Sequence, residues 1–256
     1  MRNGTRKIGL ARALSKLGYC SRSQAAELIR AGRVRLNGTI RRDPETPVSE
    51  KSDRITVDGE TIETANKIYI VLNKPRDIVT TASDEKDRDT VYSLLNRNSK
   101  NDLPNSVPWI APVGRLDKGS EGLLLLTNDS EWSARITAPE THIDKTYHVQ
   151  IGKVIGDDFV HMLFRGVKAK NGEVLRAKKV RRLRAGQKNS WLEIVLDEGK
   201  NRQIRRMMES MGVEVMRLLR VAIGPLQLGG LAKGSHRALT ADEKQLLDHA
   251  MREKSS

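Results

Sequence analysis

Four consecutive leucines at residues 123–126 constrain the fold of this chain more than any other stretch. Gly122 precedes them, and Asn128-Asp129 follows shortly after. Four apolar residues bounded in this way are too few for a helix, so the pattern predicts a buried strand. We expect the chain to be organised around residues 114–129, in which this strand follows a loop.

The loop before the strand carries the first candidate functional residues. Residues 114–122 are polar, contain three glycines and hold Arg115 and Asp117 two positions apart. A charged pair on a loop that leads into a buried strand can be presented rigidly. Taken alone, the two charges are better explained as a solvated surface ion pair, because most exposed pairs contribute little. The rest of the chain has to decide between these interpretations.

The net charge of +14 narrows the range of partners. Lysine and arginine total 46 residues, aspartate and glutamate 32, and the isoelectric point is about 10.0. Such an excess favours a polyanion, most often a nucleic acid, because basic side chains that neutralise phosphates release counterions.

Several other classes are excluded by residue type. Cys20 is the only cysteine, so neither an internal disulfide nor a cysteine-based metal site can form. The five histidines include no pair with the spacing of a metalloprotease site. No long apolar stretch predicts a signal peptide or a membrane span. We therefore expect a protein of a reducing, cytoplasmic compartment that does not bind membranes.

The first 42 residues carry most of the excess charge. They contain eleven basic residues and one acidic residue, Glu27. Leu10, Leu14 and Leu17 have the spacing of one helix face, and Gly18 is expected to end that helix.

A second helix and two strands are predicted next. Ser21 and Gln24 have the spacing of a capping box, which predicts a helix start. Residues 33–36 and 54–57 each read as a short strand followed by a turn, Asn37-Gly38 in the first case.

This pattern of two helices and basic strands resembles the S4 RNA-binding domain over residues 8–59. In that family, paired helices and the following strand present basic groups to structured RNA. Any one arginine here is as readily a solvated surface residue. The arginines to which the resemblance assigns RNA contact are Arg12, Arg22, Arg30, Arg33 and Arg35.

The remainder of the chain predicts an α+β fold. Strands are predicted at 68–72, 145–151 and 191–196, helices at 90–95, 130–137, 157–165, 203–211 and 241–251, a loop at 96–106 and a hairpin at Asn171-Gly172. The basic stretch 176–184 could be an edge strand protected by charge, but with the basic N-terminus we favour a second RNA-facing strip. Half-polar strands with scattered helices favour a mixed, largely antiparallel sheet with flanking helices. We place a small N-terminal domain at 1–62 and a catalytic domain at 63–256.

Familiar cofactor and nucleophile motifs are missing from the sequence. Gly114 and Gly119 have P-loop spacing, but Ser120-Glu121 follows where Lys-Ser/Thr is required. A nucleophile elbow and a dinucleotide-binding glycine motif are also missing. What remains is an acidic residue on a glycine-rich loop of a basic protein. A carboxylate can act as a covalent nucleophile without a cofactor, and a nearby arginine keeps it ionised.

Four motifs in order identify a family resemblance. They are Gly114–Asp117, the leucine run with Thr127-Asn-Asp129, Lys145-Thr-Tyr147 and residues 198–207 (Glu-Gly-Lys-Asn-Arg-Gln-Ile-Arg-Arg-Met). Together with Lys74-Pro75 and residues 218–226, they resemble the motifs of pseudouridine synthases, in the ribosomal branch with an N-terminal S4 domain. The resemblance spans residues 8–247. It departs from the family pattern at Arg76-Asp77, where a glycine is common, so this loop is expected to take a different path.

The resemblance implies roles for individual residues. Asp117 would be the nucleophile that attacks the target uridine, either at the base or at the ribose C1′. Tyr147 would stack on the uracil, Arg205 would pair with Asp117, and Leu218 would form the apolar wall of the base pocket. The remaining expected RNA contacts are Lys74, Arg115, Lys145 and Arg202.

The resemblance also implies the partner and the chemistry. It implies isomerisation of uridine to pseudouridine in ribosomal RNA, free or within ribosomal subunit precursors, by a monomer that needs no metal and no organic cofactor. The large subunit is favoured by resemblance alone. The alternative is a non-catalytic rRNA-binding or assembly protein that has the same fold.

Overall fold

The computed structural model describes residues 7–81, 89–97 and 108–253. Contacts divide the chain into two compact units. One contains the described residues up to Tyr69 with 108–111 and Leu126–Ser130, and the other contains the remainder. No helix in the described ranges is both long enough and apolar enough to cross a bilayer.

The N-terminal part consists of two helices and six short strands. They are β1 (Ile8–Gly9), α1 (Leu10–Lys16), α2 (Arg22–Arg30), β2 (Val34–Leu36), β3 (Thr39–Ile40), β4 (Pro47–Val48), β5 (Ile55–Val57) and β6 (Glu60–Thr61). Strands β3-β2-β5-β6 form one sheet in that order, and β1 pairs with β4. Leu10, Leu14 and Ile29 are fully buried between the helices and the sheet.

Local sequence signals explain this part well. Ser21 accepts a hydrogen bond from the Gln24 backbone N–H, and the Gln24 side chain accepts one from the Ser21 N–H, so the predicted capping box is confirmed. Asn37 and Gly38 both have positive φ, 52° and 82°, as a type I′ hairpin turn requires. Gly18, with φ of 82°, follows the end of α1 as predicted.

The larger part of the chain contains five helices and eleven strands in the described residues. They are β7 (Tyr69–Lys74), α3 (Val91–Arg97), β8 (Ala111–Val113), β9 (Glu121–Thr127), α4 (Ser130–Thr137), β10 (Lys145–Ile151), α5 (Asp157–Arg165), β11 (Val167–Lys168), β12 (Val174–Leu175), β13 (Lys179–Ala185), β14 (Ser190–Leu196), α6 (Gln203–Ser210), β15 (Val215–Ile223), β16 (Leu226–Gln227), β17 (His236–Ala238) and α7 (Ala241–Glu253). The loop predicted at 96–106 lies outside the described residues except at its first two positions, which end α3.

Nine strands form the main sheet. Its order is β13-β14-β10-β15-β9-β7-β17, with β16 added to β15 and β8 to β9. Strand β10 is antiparallel to both β14 and β15, whereas β15 and β9 are parallel. The prediction of a mixed, largely antiparallel sheet in an α+β fold is confirmed. The basic strand β13 lies at the edge, where exposed charge discourages pairing with another chain.

The leucine run forms the centre of β9, whose seven residues are all buried. The four leucines have no exposed surface, so the predicted buried strand is confirmed. Gly122 has a φ of 101°, and a Cβ there would collide with the backbone carbonyl of Arg220 on β15. Only glycine permits both this conformation and this close approach of the two strands.

Helix α6 packs its methionines into the core beside the sheet. Met207 and Met208 are fully buried with Ile204, next to α5 and the inward side chains of β10 and β14. Helix α6 is thereby fixed against the sheet, with its N-terminus beside the loop that carries Asp117.

Candidate active site

Most of the predicted catalytic residues line a cleft of about 300 Å³. It lies where the loop at 114–120 meets the start of β10, the start of α6 and the middle of β15. The predicted residues that line it are Asp117, Tyr147, Leu218, Arg115, Lys145 and Arg202. Distant parts of the chain thus converge on one site, as the motif interpretation requires.

Lys74 supports the loop that carries Asp117. Its side chain has no exposed surface at the end of β7. Its Nζ donates to three backbone oxygens, those of Ser120 at 2.9 Å, Pro75 at 3.0 Å and Asp117 at 3.2 Å. Burial lowers the pKa of Lys74 to about 8, although the negative charges of nearby carboxylates act to raise it. The expected RNA contact of Lys74 is therefore wrong, because its ammonium is enclosed and occupied.

The segment after Lys74-Pro75 holds the same loop from the other side. Asp77 adopts a φ of 67°, and its N–H donates to the Lys118 carbonyl at 2.9 Å. Thr80 Oγ1 donates to the Leu116 carbonyl at 2.8 Å. The left-handed backbone at Asp77 is the conformation that glycine favours, and aspartate tolerates it better than most residues.

The Asp117 carboxylate pairs with Arg202. Arg202 Nη1 lies 3.3 Å from Asp117 Oδ2, and both side chains are partly exposed in the cleft. Arg202 precedes α6 with a φ of 49°, a strained backbone conformation for a long side chain. This conformation accompanies the contact of Arg202 with the carboxylate. The structure thus places Arg202, expected to contact RNA, as the ion-pair partner of Asp117.

Arg205 occupies a different position from the one expected. Its Nη2 donates to the Gly119 carbonyl at 2.8 Å, and its Nη1 lies 3.5 Å from the Val215 carbonyl. The expected direct pair with Asp117 is corrected, because the guanidinium is half-buried beneath the loop and bonds its backbone. Burial lowers the pKa of Arg205, as does the charge of Arg202, while Asp117 acts in the opposite direction.

Tyr147 and Leu218 lie on the same face of the sheet. Tyr147 on β10 is opposite Arg220, and Val149, two residues on, is opposite Leu218. Residues two apart on a strand share a face, so all four point to the side of the α6 core. Leu218 is 7% exposed and supplies an apolar wall. Lys145 and the exposed Arg115 line the polar side of the cleft.

Glu121 was not predicted from the sequence. Its side chain is 3% exposed, and it accepts two hydrogen bonds from Arg217, at 3.1 and 3.2 Å, and one from Lys233 at 2.9 Å. Burial alone would raise the pKa of Glu121, but hydrogen bonds and charge from these two partners outweigh it and lower the pKa. Its position immediately before a buried strand was the available signal.

The predicted RNA-contacting arginines of the N-terminal part are all exposed. Arg12, Arg22 and Arg30 line one concavity on this part of the chain. Arg33 donates to Asp58 at 2.9 Å, and Arg35 donates to the Gly38 carbonyl at 3.2 Å. The structure therefore groups three of the five and places Arg35 on β2 and Arg33 immediately before that strand. In the described residues, no cluster of three or more suitable side chains could hold a metal ion.

Comparison with known proteins assigns the class. Residues 68–210 match the model of the RNA pseudouridylate synthase family, and residues 8–55 match the S4 domain. The chain belongs to the RNA pseudouridylate synthase family and carries an N-terminal S4 domain.

Relatives extend over nearly the whole chain. Ribosomal large subunit pseudouridine synthase B of Bacillus subtilis (strain 168) is 35% identical over 245 residues, covering 94% of this chain and 97% of the relative. An uncharacterized RNA pseudouridine synthase of Aquifex aeolicus (strain VF5) is 34% identical over 238 residues, covering 93% and 92%. A crystal structure of a pseudouridylate synthase matches with a TM-score of 0.62 at 28% identity, covering 94% of this chain and 99% of that one. The chain is an RNA pseudouridine synthase.

Proposed function

We propose that this enzyme converts a specific uridine of ribosomal RNA to pseudouridine, with Asp117 as the nucleophile. The observation that carries the proposal is the partly exposed Asp117 carboxylate, which faces a cleft shared with Tyr147 and Leu218. Large subunit RNA is the favoured substrate because the Bacillus subtilis relative is named for that subunit.

The cleft suits a single base removed from its stack. A flipped base costs a few kcal/mol of unstacking, which contacts in the pocket must offset. Tyr147 supplies a ring for stacking and Leu218 an apolar wall, while the carboxylate lies beside them. After attack by Asp117 at the ribose or the base, the glycosidic bond breaks. The uracil then turns in the cleft, and C5 rejoins the ribose.

Two arginines position the nucleophile in different ways. Arg202 contacts the Asp117 carboxylate in a direct ion pair, which orients the nucleophile in the cleft. Arg205 holds the backbone of the same loop through the Gly119 carbonyl. Because Arg202 is half exposed, RNA phosphate can draw it from the carboxylate when substrate binds.

We propose that residues 1–62 act as the RNA-binding domain and residues 63–256 as the catalytic domain. Arg12, Arg22 and Arg30 would neutralise phosphates distant from the target base. Deleting residues 1–62 should weaken binding to an rRNA fragment and flatten its salt dependence, because fewer counterions are released. An unchanged salt slope would contradict this role.

The decisive experiment replaces Asp117 with asparagine, which keeps the size of the side chain and removes the nucleophilic carboxylate. We expect no pseudouridine in an rRNA fragment, with RNA affinity close to that of the unchanged enzyme. Full activity of D117N would refute the assignment. Pseudouridine mapping in rRNA from cells that lack the protein identifies the target, and an unaltered map would favour a non-catalytic assembly role.

A further inference from the structure

Arg220 is a buried cation in the cleft that the mechanism above does not use. It lies on β15 and is 6% exposed, although it is one of the residues that line the cleft. Its Nε donates to the Leu123 carbonyl at 2.7 Å. Its Nη2 is buried and has no hydrogen-bond partner.

The positive charge of Arg220 is also uncompensated. Within the part of the chain that the structure describes, its guanidinium forms no ion pair, and Leu123 O is its only acceptor. Buried charges are usually paired with opposite charges. Glu121, two residues before Leu123 on the same strand, is an example, because two cations neutralise its buried carboxylate. A buried charge without a partner is strongly unfavourable, so this arrangement calls for an anionic or strongly polar group in the occupied cleft.

The position of Arg220 indicates what that group is. Arg220 is directly opposite Tyr147, the expected stacking residue, and shares its face of the sheet with Leu218. A uracil stacked on Tyr147 would therefore lie next to the Arg220 guanidinium. The candidate nucleophile Asp117 lines the same cleft from the loop before β9.

We propose that Arg220 is a catalytic residue that stabilises the negative charge of the uracil while it is detached from the ribose. This inference rests on the proposed function. When the glycosidic bond breaks, its electron pair stays on N1, and the negative charge spreads to the O2 and O4 carbonyl oxygens. A fixed guanidinium beside those oxygens stabilises the charge as it develops, as the donors of an oxyanion hole do.

The charges and bonds balance at each stage of the ribose route. Asp117 Oδ forms a bond to C1′ as the C1′–N1 bond breaks, and the uracil becomes an anion that Arg220 neutralises. The turned uracil then donates an electron pair from C5 to C1′, and the ester bond returns its pair to Asp117. Loss of the C5 proton to a base and gain of a proton at N1 complete the isomer. In the route through the base, the C1′–N1 electron pair also stays on the ring.

The test changes the acidity of the departing base. Fluorine at C5 stabilises the uracil anion, so an RNA with 5-fluorouridine at the target depends less on Arg220. We expect R220M to slow the single-turnover conversion of uridine at saturating RNA by about 100-fold or more. The slowing of 5-fluorouridine conversion should be clearly smaller, and RNA affinity should change little. Because C5 of 5-fluorouridine carries no proton to lose, its reaction stops at the rearranged base, to which water adds at C6. Both conversions are therefore measured as loss of the starting nucleoside, by liquid chromatography and mass spectrometry after nuclease digestion.

Controls separate this role from a structural one. Arg237→Met removes a partly buried arginine that pairs with Glu243. Arg237 lies on the edge strand β17, outside the cleft. It should leave the ratio of the two rates as in the unchanged enzyme, whatever it does to stability. If R220M slows both substrates by the same factor, or neither, the proposal is overturned.

The conservative variant R220K tests the proposal if R220M does not fold. R220K keeps the positive charge but loses the planar, forked donor. We expect a rate between those of the unchanged enzyme and R220M, with an intermediate dependence on fluorine. A folded R220K with a reduced rate and an unaltered fluorine ratio would overturn the proposal. Absence of pseudouridine formation by the unchanged enzyme would instead refute the proposed function.

Discussion

Replacing Lys74 with methionine tests how the nucleophile loop is held. The change removes the buried ammonium and keeps the length of the side chain. Three backbone oxygens, those of Pro75, Asp117 and Ser120, lose their charged donor. Hydrogen bonds to charged groups contribute about 1.5–3 kcal/mol each, but the cost of burying the ammonium offsets most of their sum. We expect K74M to lower the free energy of unfolding by no more than about 1 kcal/mol at pH 7.

The pH dependence of that difference gives a sharper test. The pKa of Lys74 is about 8 in the folded protein and 10.5 for a fully solvated lysine, a gap equivalent to about 3 kcal/mol. Between these two pH values the unfolded chain binds a proton that the folded chain does not, so the stability of the unchanged protein rises with pH. K74M lacks this gain. The destabilisation should therefore grow by about 2–3 kcal/mol between pH 7 and pH 10.

Urea unfolding at several pH values measures this difference, in which the other titrating groups cancel. K118M, a change at an exposed lysine of the same loop, should follow the unchanged protein throughout. Activity gives a second readout, because misplacing a catalytic group by about 1 Å can slow a reaction by about 100-fold. A destabilisation that is equal at pH 7 and pH 10, or a fully active K74M, would refute this account of Lys74.

Four further changes have defined outcomes. Gly122→Ala should destabilise by more than about 3 kcal/mol in urea unfolding, through its positive φ and the strand backbone it would strike. Glu121→Gln should cost about 1–2 kcal/mol at neutral pH, because the buried group loses charged hydrogen bonds while both of its cationic partners stay about half exposed. Because the pKa of Glu121 is lowered, that cost should disappear as pH falls through the folded pKa. Arg202→Gln should slow single-turnover conversion while changing stability by less than about 1 kcal/mol, since its ion pair is exposed. Ser21→Ala should cost about 1 kcal/mol in urea unfolding by removing a helix cap.

Elements set by local chemistry were predictable from the sequence. The alternation at 145–151 matches β10, and the apolar spacing at 157–165 matches α5, both to the residue. The capping box at Ser21 gave the start of α2 for the same reason, since both partners lie within one turn. In each case, the signal and the structure it determines occupy the same few residues.

Contacts between distant segments were not predictable in this way. The sequence does not indicate that Tyr147 lies opposite Arg220, because strand register depends on packing across the whole sheet. The sequence predicted an RNA contact for Lys74, and its burial follows only from the return of the loop at 114–120 over the end of β7. A basic residue near a catalytic motif can thus serve the backbone instead of the substrate.

The two arginines near Asp117 show what decides between equivalent candidates. Both Arg202 and Arg205 lie in one basic motif, and charge alone favours neither as the partner of the carboxylate. Arg202 stands before the first turn of α6 in a left-handed conformation, and its guanidinium reaches the carboxylate. Arg205 is already within the helix, where its side chain lies beneath the loop and meets the Gly119 carbonyl. The backbone at a single residue, 202, therefore determines which arginine touches the nucleophile and which one holds its loop.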